Sequence, residues 1–138
     1  MTQINPYLRF SGNCREAMSF YQECLGGDLT LTTVGETPMA KQMPAEAQEQ
    51  IMHATLNNGH LVLLGSDMVG PEGLIKGNAL SLQLECDDEK QLRAFYSKLS
   101  SGGKATYPVG PSFWGGLYGQ LTDKFGIEWM LNHAGSRK

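Results

Sequence analysis

Cysteine is scarce in this chain of 138 residues: Cys14, Cys24 and Cys86 are all it has. The number is odd and no pair has C-x-x-C spacing, which argues against a disulfide framework or a zinc knuckle and for buried thiols in a reducing cytoplasm. Charge is also sparse, at 18% of residues against a usual share of about 25%. The net charge is −3 and the basic residues form no run, so nucleic acid is not an expected partner. The longest apolar run, Leu61 to Leu64, is far too short to cross a bilayer, and no membrane partner is expected. The opening "MTQINPYLRF" has no basic segment leading into an apolar core, so no signal peptide is read there. G-x-S-x-G, the P-loop and G-x-G-x-x-G are missing, and the Ser and Cys residues have no local nucleophile signature.

What is present suffices for a real interior. Hydrophobic residues make up 41% of the chain, enough for one domain or for two small modules sharing a core. "INPYLRF" alternates as a strand, with Pro6 suited to its start. "NCREAMSFYQECLGG" has the helical period: Ala17, Met18, Phe20, Tyr21, Cys24 and Leu25 share a face, Asn13 and Glu16 stand at capping-box spacing, and Gly26-Gly27 ends it. "DLTLTTVG" is a Thr-rich strand. "ETPMAKQMPAEAQEQ" reads as a Pro-broken loop with one helical turn after Pro44. "IMHATLNNGHLVLLGSD" reads as two strands turning at Asn57-Asn58-Gly59.

After the Gly- and Pro-rich linker 68–77 the order repeats. "ALSLQLEC" is a strand. "DDEKQLRAFYSKLSSGG" is a helix with Asp88 and Gln91 at capping spacing. "KATYPVGPSFWGG" is a strand broken by Pro108 and Pro111, and "LYGQLTDKFGIEWMLN" is a closing hairpin. Phe20-Tyr21 and Gly26-Gly27 recur as Phe95-Tyr96 and Gly102-Gly103. The expectation is α+β: one domain over 1–138, built from two βαβββ modules, 1–67 and 78–133. Either half alone would bury too little surface to be stable, and each leaves one sheet face free of its helix.

The repeated βαβββ plan, "LRFSGNCREAMSFYQECLGG" and the ending "TDKFGIEWMLN" together resemble the vicinal oxygen chelate superfamily of glyoxalases, extradiol dioxygenases and bleomycin-resistance proteins. The D-x-F-G-x-x-W ending, Asp123 to Trp129, is similar to that of its PhnB-like branch, sometimes labelled demethylubiquinone-methyltransferase-like. The resemblance implies cupped mixed sheets around a cleft, a small-molecule ligand, a homodimer, and in many members a divalent metal held by His, Gln or Glu from the first and fourth strands of each module. Those four positions fall at Asn5, Leu63, Ser81 and Met130 here, a poor donor set for such an ion.

Strand alternation sorts the side chains by face. With Leu8, Phe10, Val62, Leu64, Leu80, Leu82, Leu84 and Trp129 turned to the helices, the free faces receive Tyr7, Arg9, His53, Gln83, Glu85, Tyr118, Gln120 and Glu128, with Trp114 as an aromatic lip. His53, Glu85 and Glu128 are the candidates for moving a proton, and the other six for holding a ligand. His53 with one or both carboxylates is the alternative seat for a divalent metal. His60 is expected to be solvent-exposed, His133 to lie in an inert tail, and Asp67 and Asp123 to form turns. Three uses follow: a small-molecule protein working without the usual four-ligand centre, a sequestering protein with no chemistry, or a metal-dependent isomerase, lyase or dioxygenase. Methyl transfer is disfavoured because no adenosyl-binding glycine loop is present.

Overall fold

Alternating apolar residues, period-3.6 helices and glycine stops give the same chain path twice. The computed structural model describes residues 2–135. The chain divides into two compact units, Met1–Ile75 and Lys76–Lys138. The first contains β1 (Tyr7–Arg9), α1 (Cys14–Leu25), β2 (Asp28–Thr33), β3 (Ile51–Asn58) and β4 (Leu61–Ser66). The second contains β5 (Leu82–Glu85), α2 (Glu89–Ser100), β6 (Lys104–Pro111), β7 (Leu117–Thr122) and β8 (Glu128–His133). The sheet orders are β1-β4-β3-β2 and β5-β8-β7-β6, identical in plan. Each sheet has one parallel pair, β1 with β4 and β5 with β8, and is otherwise antiparallel. The fold is therefore α+β with two mixed four-stranded sheets.

Each helix covers one face of its own sheet. In the first unit α1 buries Cys14, Ala17, Met18, Tyr21, Cys24 and Leu25. Gly65 lets it come close: a Cβ there would stand 3.0 Å from Met18 Sδ and 3.3 Å from Cys14 Sγ. In the second unit Gly119 does the same for α2, where a Cβ would lie 2.9 Å from the Tyr96 ring. The Tyr96 hydroxyl sits 2.9 Å from the Gln120 carbonyl and 3.0 Å from that of Tyr107, sharing its one proton between β7 and β6.

Four sequence expectations change. Leu63, not Val62 or Leu64, faces α1: it is buried, it pairs with buried Leu56, and it lies two residues from Gly65. A run of four apolar residues carries no alternation, and the hairpin closes one residue later than expected, with Asn58 opposite Leu61, which reverses the face. Leu80 does not pack under α2; it is 86% exposed, because β5 begins only at Leu82. Pro108 does not break β6. The strand is at the sheet edge, where a missing N–H costs no ladder bond, and its register shifts on either side of Tyr107. The segment after β2 forms three 3-10 turns, Val34–Glu36, Pro38–Gln42 and Ala45–Ala47, rather than one.

Helix starts differ too. Asp88 caps α2 as its spacing suggests, accepting from Gln91 N at 2.8 Å. Asn13 makes no side-chain cap on α1. Its place is taken by Asp67, far along the chain. Asp67 Oδ1 accepts from Gly12 N at 3.0 Å and Cys14 N at 2.9 Å, and Oδ2 accepts from Ile51 N at 2.9 Å. This buried carboxylate joins the start of α1 to the start of β3 and the end of β4. Asp123 forms its turn as expected, with Oδ1 accepting from Phe125 N and Ile127 N. In addition its Oδ2 accepts from the buried Trp129 indole at 2.8 Å. His133 is not in a tail but closes β8, its Nδ1 3.2 Å from the Cys86 carbonyl.

The cysteines are buried and unpaired with one another. Burial, then the charge of Asp67, pushes the Cys14 thiol up to about 12. Burial, then Glu85, pushes Cys86 up to about 11. These thiols are packing groups, not nucleophiles at neutral pH.

Two predictions follow from these contacts. Asp67→Ala should lower unfolding free energy in urea by about 2–4 kcal/mol, since three N–H groups lose a charged acceptor, whereas Asn13→Ala should change it by less than about 0.5 kcal/mol. The folded chain also holds its Cys14 and Cys86 protons more tightly than the unfolded chain. Stability should therefore fall as pH rises from the ordinary thiol value of 9.0 through about 11 and 12, and a urea midpoint unchanged across that window would contradict the assignment.

Candidate functional site

A sheet with a helix on one face leaves the other face for function, and alternation decides which side chains reach it. In the first unit the parallel pairing Tyr7–Leu64 and Arg9–Ser66 and the antiparallel pairings Thr55–Leu64 and Thr32–His53 put Tyr7, Arg9, His53 and Thr55 on the open face. The Tyr7 and His53 rings lie 5.9 Å apart, tilted by 45°, and the Arg9 guanidinium carbon is 5.5 Å from the Tyr7 ring centre. His53 Nε2 is 3.3 Å from Thr55 Oγ1. Among the described residues Arg9 has no carboxylate partner, and its charge rests against an aromatic ring. All three candidates of this unit, Tyr7, Arg9 and His53, thus share one face.

In the second unit the open face is organised in cross-strand rows. One runs Glu85, Asn132, Tyr118, Gly110; the next runs Gln83, Met130, Gln120, Tyr107; a third pairs Glu128 with Thr122 and Lys104. Gln83 Nε2 donates to Glu85 Oε1 at 2.7 Å, and Asn132 Nδ2 reaches both Glu85 oxygens at 3.0 and 2.9 Å. The Trp114 indole N–H donates to Asn132 Oδ1 at 3.1 Å. Gln120 Nε2 donates to the Tyr118 hydroxyl at 2.7 Å. Ser81 Oγ donates to Glu128 at 3.2 Å. Trp114 stands edge-on to Tyr118 at 5.6 Å, and Tyr118 edge-on to Tyr107 at 5.8 Å. The six candidates of this unit, Gln83, Glu85, Trp114, Tyr118, Gln120 and Glu128, thus lie on one side of one sheet.

Of the side chains that bond or stack with these candidates, Asn132 and Tyr107 are absent from the sequence reading. Asn132 is the next step of the alternation that places Glu128 and Met130, and extending the strand by one pair would have found it. Tyr107 is hidden in the sequence because the adjacent Pro108 reads as a break in its strand.

The four-ligand metal centre implied by the resemblance does not fit these residues. Leu63 lies in the helix-covered core and Met130 offers only a thioether. The Ser81 hydroxyl proton is committed to Glu128. The Asn5 amide oxygen accepts from Gln3 Nε2 at 2.7 Å and sits ahead of β1. Among the described residues no three His, Cys, Asp or Glu side chains gather at one point where an ion could sit. In its own unit His53 has Thr55 and Tyr7 for neighbours, not an acid.

Comparison with known proteins agrees with this plan over the whole described fold. The chain is 30% identical over 137 residues to Protein YjdN of Escherichia coli strain K12, covering 94% of this chain and 93% of that one. Protein PA1353 of Pseudomonas aeruginosa superposes with a TM-score of 0.83 at 40% identity, covering 96% of this chain and 98% of that one. A PhnB protein of Bacillus cereus, described as a putative 3-demethylubiquinone-9 3-methyltransferase, shares the fold with a TM-score of 0.74 at 23% identity over 96% of this chain and 100% of its own. The sequence model of one family matches residues 3–131. This chain belongs to the Glyoxalase/Bleomycin resistance protein/Dioxygenase superfamily.

Proposed function

We propose that this chain is a PhnB-like small-molecule protein whose ligand is held by side chains of the open sheet faces, without the four-ligand metal centre of many relatives. The observation that supports this is the distribution of side chains. Ionisable, amide and aromatic groups collect on the faces opposite the helices, while two of the four metal positions hold Leu63 and Met130. On the first face Arg9 offers five fixed donors to an anionic or carbonyl oxygen, and Tyr7 holds its plane. His53 is the proton carrier of that face, held by Thr55. Glu85 and Glu128 are the acids of the other. The working form is proposed to be a cytoplasmic homodimer. The methyl transfer in the Bacillus cereus description is not carried over, because this chain has no adenosyl-binding loop and fold alone does not fix chemistry.

Sequestration and catalysis separate by what becomes of the ligand. A panel of small carboxylates and carbonyl compounds, screened by melting temperature, should contain compounds that stabilise the protein. Arg9→Ala should weaken the anionic ones about tenfold or more, and Arg9→Lys less. Recovery of the bound compound unchanged marks a binder, and recovery of a product marks an enzyme. Calorimetric titration with nickel, cobalt and zinc should give equal, near-zero uptake for wild type and His53→Ala. Stoichiometric uptake lost in His53→Ala would overturn the metal-free reading.

A further inference from the structure

The open face of the second unit has a chemistry unlike that of the first. Its two acids are held by neutral donors only: Glu85 by Gln83 and Asn132, Glu128 by Ser81. Amide and hydroxyl donors fix a carboxylate in place without cancelling its charge, and the two carboxylates outnumber Lys104, the one cation in the rows of this face. Beside Glu85 stands an aromatic series. Asn132 bridges Glu85 to the Trp114 indole, and Trp114, Tyr118 and Tyr107 follow edge-to-face. Trp114 is 44% exposed and Tyr107 is 52% exposed. Across from Tyr118 the row ends in Gly110, which has no side chain, and a Cβ there would meet nothing nearer than the Pro108 carbonyl at 3.9 Å.

We infer that this face takes a ligand bearing a cationic nitrogen, an ammonium of primary to quaternary type, seated on the Trp114 and Tyr118 rings and turned toward Glu85. Ring faces carry the negative end of the aromatic quadrupole, with Trp the strongest. An adjacent carboxylate already held by neutral partners adds long-range attraction without asking the cation to shed all its water. The hydrogen bonds have a positioning consequence as well. Trp114 is held at its edge by the N–H given to Asn132, with Phe113 at 4.7 Å and Tyr118 at 5.6 Å packed nearly at right angles to it, and its exposed remainder is left for the ligand. Glu85 and the Trp114 ring are thereby one hydrogen-bonded unit, and Tyr118 joins it by ring contact. The inference rests on the small-molecule reading and names the chemical class for one face of it.

The test uses choline and its uncharged carbon isostere, dimethylbutanol, and follows the two indole N–H resonances of the intact protein by NMR. Trp114→Phe assigns them. Trp129, buried and bonded to Asp123, serves as the internal control of folding. Choline should shift the Trp114 signal saturably and leave Trp129 in place, while dimethylbutanol at the same concentration should not. Glu85→Gln should weaken choline about tenfold with the Trp129 signal intact. Equal shifts from both probes would overturn the cation class while leaving small-molecule binding standing, because the face would then be an apolar seat. A Trp114 signal that follows protein concentration and ignores choline would also overturn it, in favour of a second copy of the chain. No shift from either probe would remove the ligand seat from this face, and the carboxylate and carbonyl panel would then decide the broader reading by itself.

Discussion

The buried carboxylate of Asp67 is the contact on which the first unit depends. A carboxylate leaves water only when enough donors meet it, and here backbone N–H groups of Gly12, Cys14 and Ile51 do so. Those three belong to the entry of α1 and the start of β3, and Asp67 itself follows the last residue of β4. One side chain thus fixes where the helix begins relative to two strands. With the helix placed, Gly65 and Leu63 must face it. Once those face inward, strand parity leaves Tyr7, Arg9 and His53 no choice but the open side. The chemistry of the face is thus set by a residue that takes no part in it.

Asp123 plays a related part in the second unit by a shorter route. It closes the turn before β8 and holds the Trp129 indole on the helix side. Since side chains alternate, securing Trp129 inward turns Glu128, Met130 and Asn132 outward. The two units therefore share a topology but reach it with different locks, and what each presents differs in sign. One face offers Arg9 and His53; the other offers Glu85, Glu128 and a row of aromatic rings. A frame whose core bonds are all on the helix side can change its open faces at little cost in stability. That separation is a physical reason for one superfamily to host unrelated chemistries.

Much of this was legible before any coordinates. The repeat, the α+β class and the turning of most candidate side chains away from the helices rest on strong periodic signals: clean alternation in β1, β5 and β8, and helices ended by paired glycines. The failures share one cause, which is that the deciding interaction was not local. "LVLL" has no alternation of its own, so its face depends on where Gly65 meets α1. Asn13 has the right spacing for a cap, but the N–H of Cys14 goes to a residue more than fifty positions away. Pro108 looks like a strand breaker until the strand order puts β6 at an edge. The Glu85–Asn132–Trp114 connection joins three distant segments and had no signature at any spacing.

The closing hairpin brings these points together. An acid two residues after a turn glycine invites the reading of a metal ligand, and Glu128 does reach the open face. Among the described residues its carboxylate bonds only the Ser81 hydroxyl, however, and the outward position two residues on is Met130. The next outward residue, Asn132, is the one that orders the face, by tying an acid to an indole. A divalent ion needs several converging anionic or imidazole donors. An organic cation needs one held carboxylate and uncovered rings. The hairpin does not supply the first set, and through Asn132 and Tyr118 it helps assemble the second with Glu85 and Trp114. The same strand geometry that elsewhere could present a metal here presents the elements of a seat for positive charge spread over carbon and nitrogen.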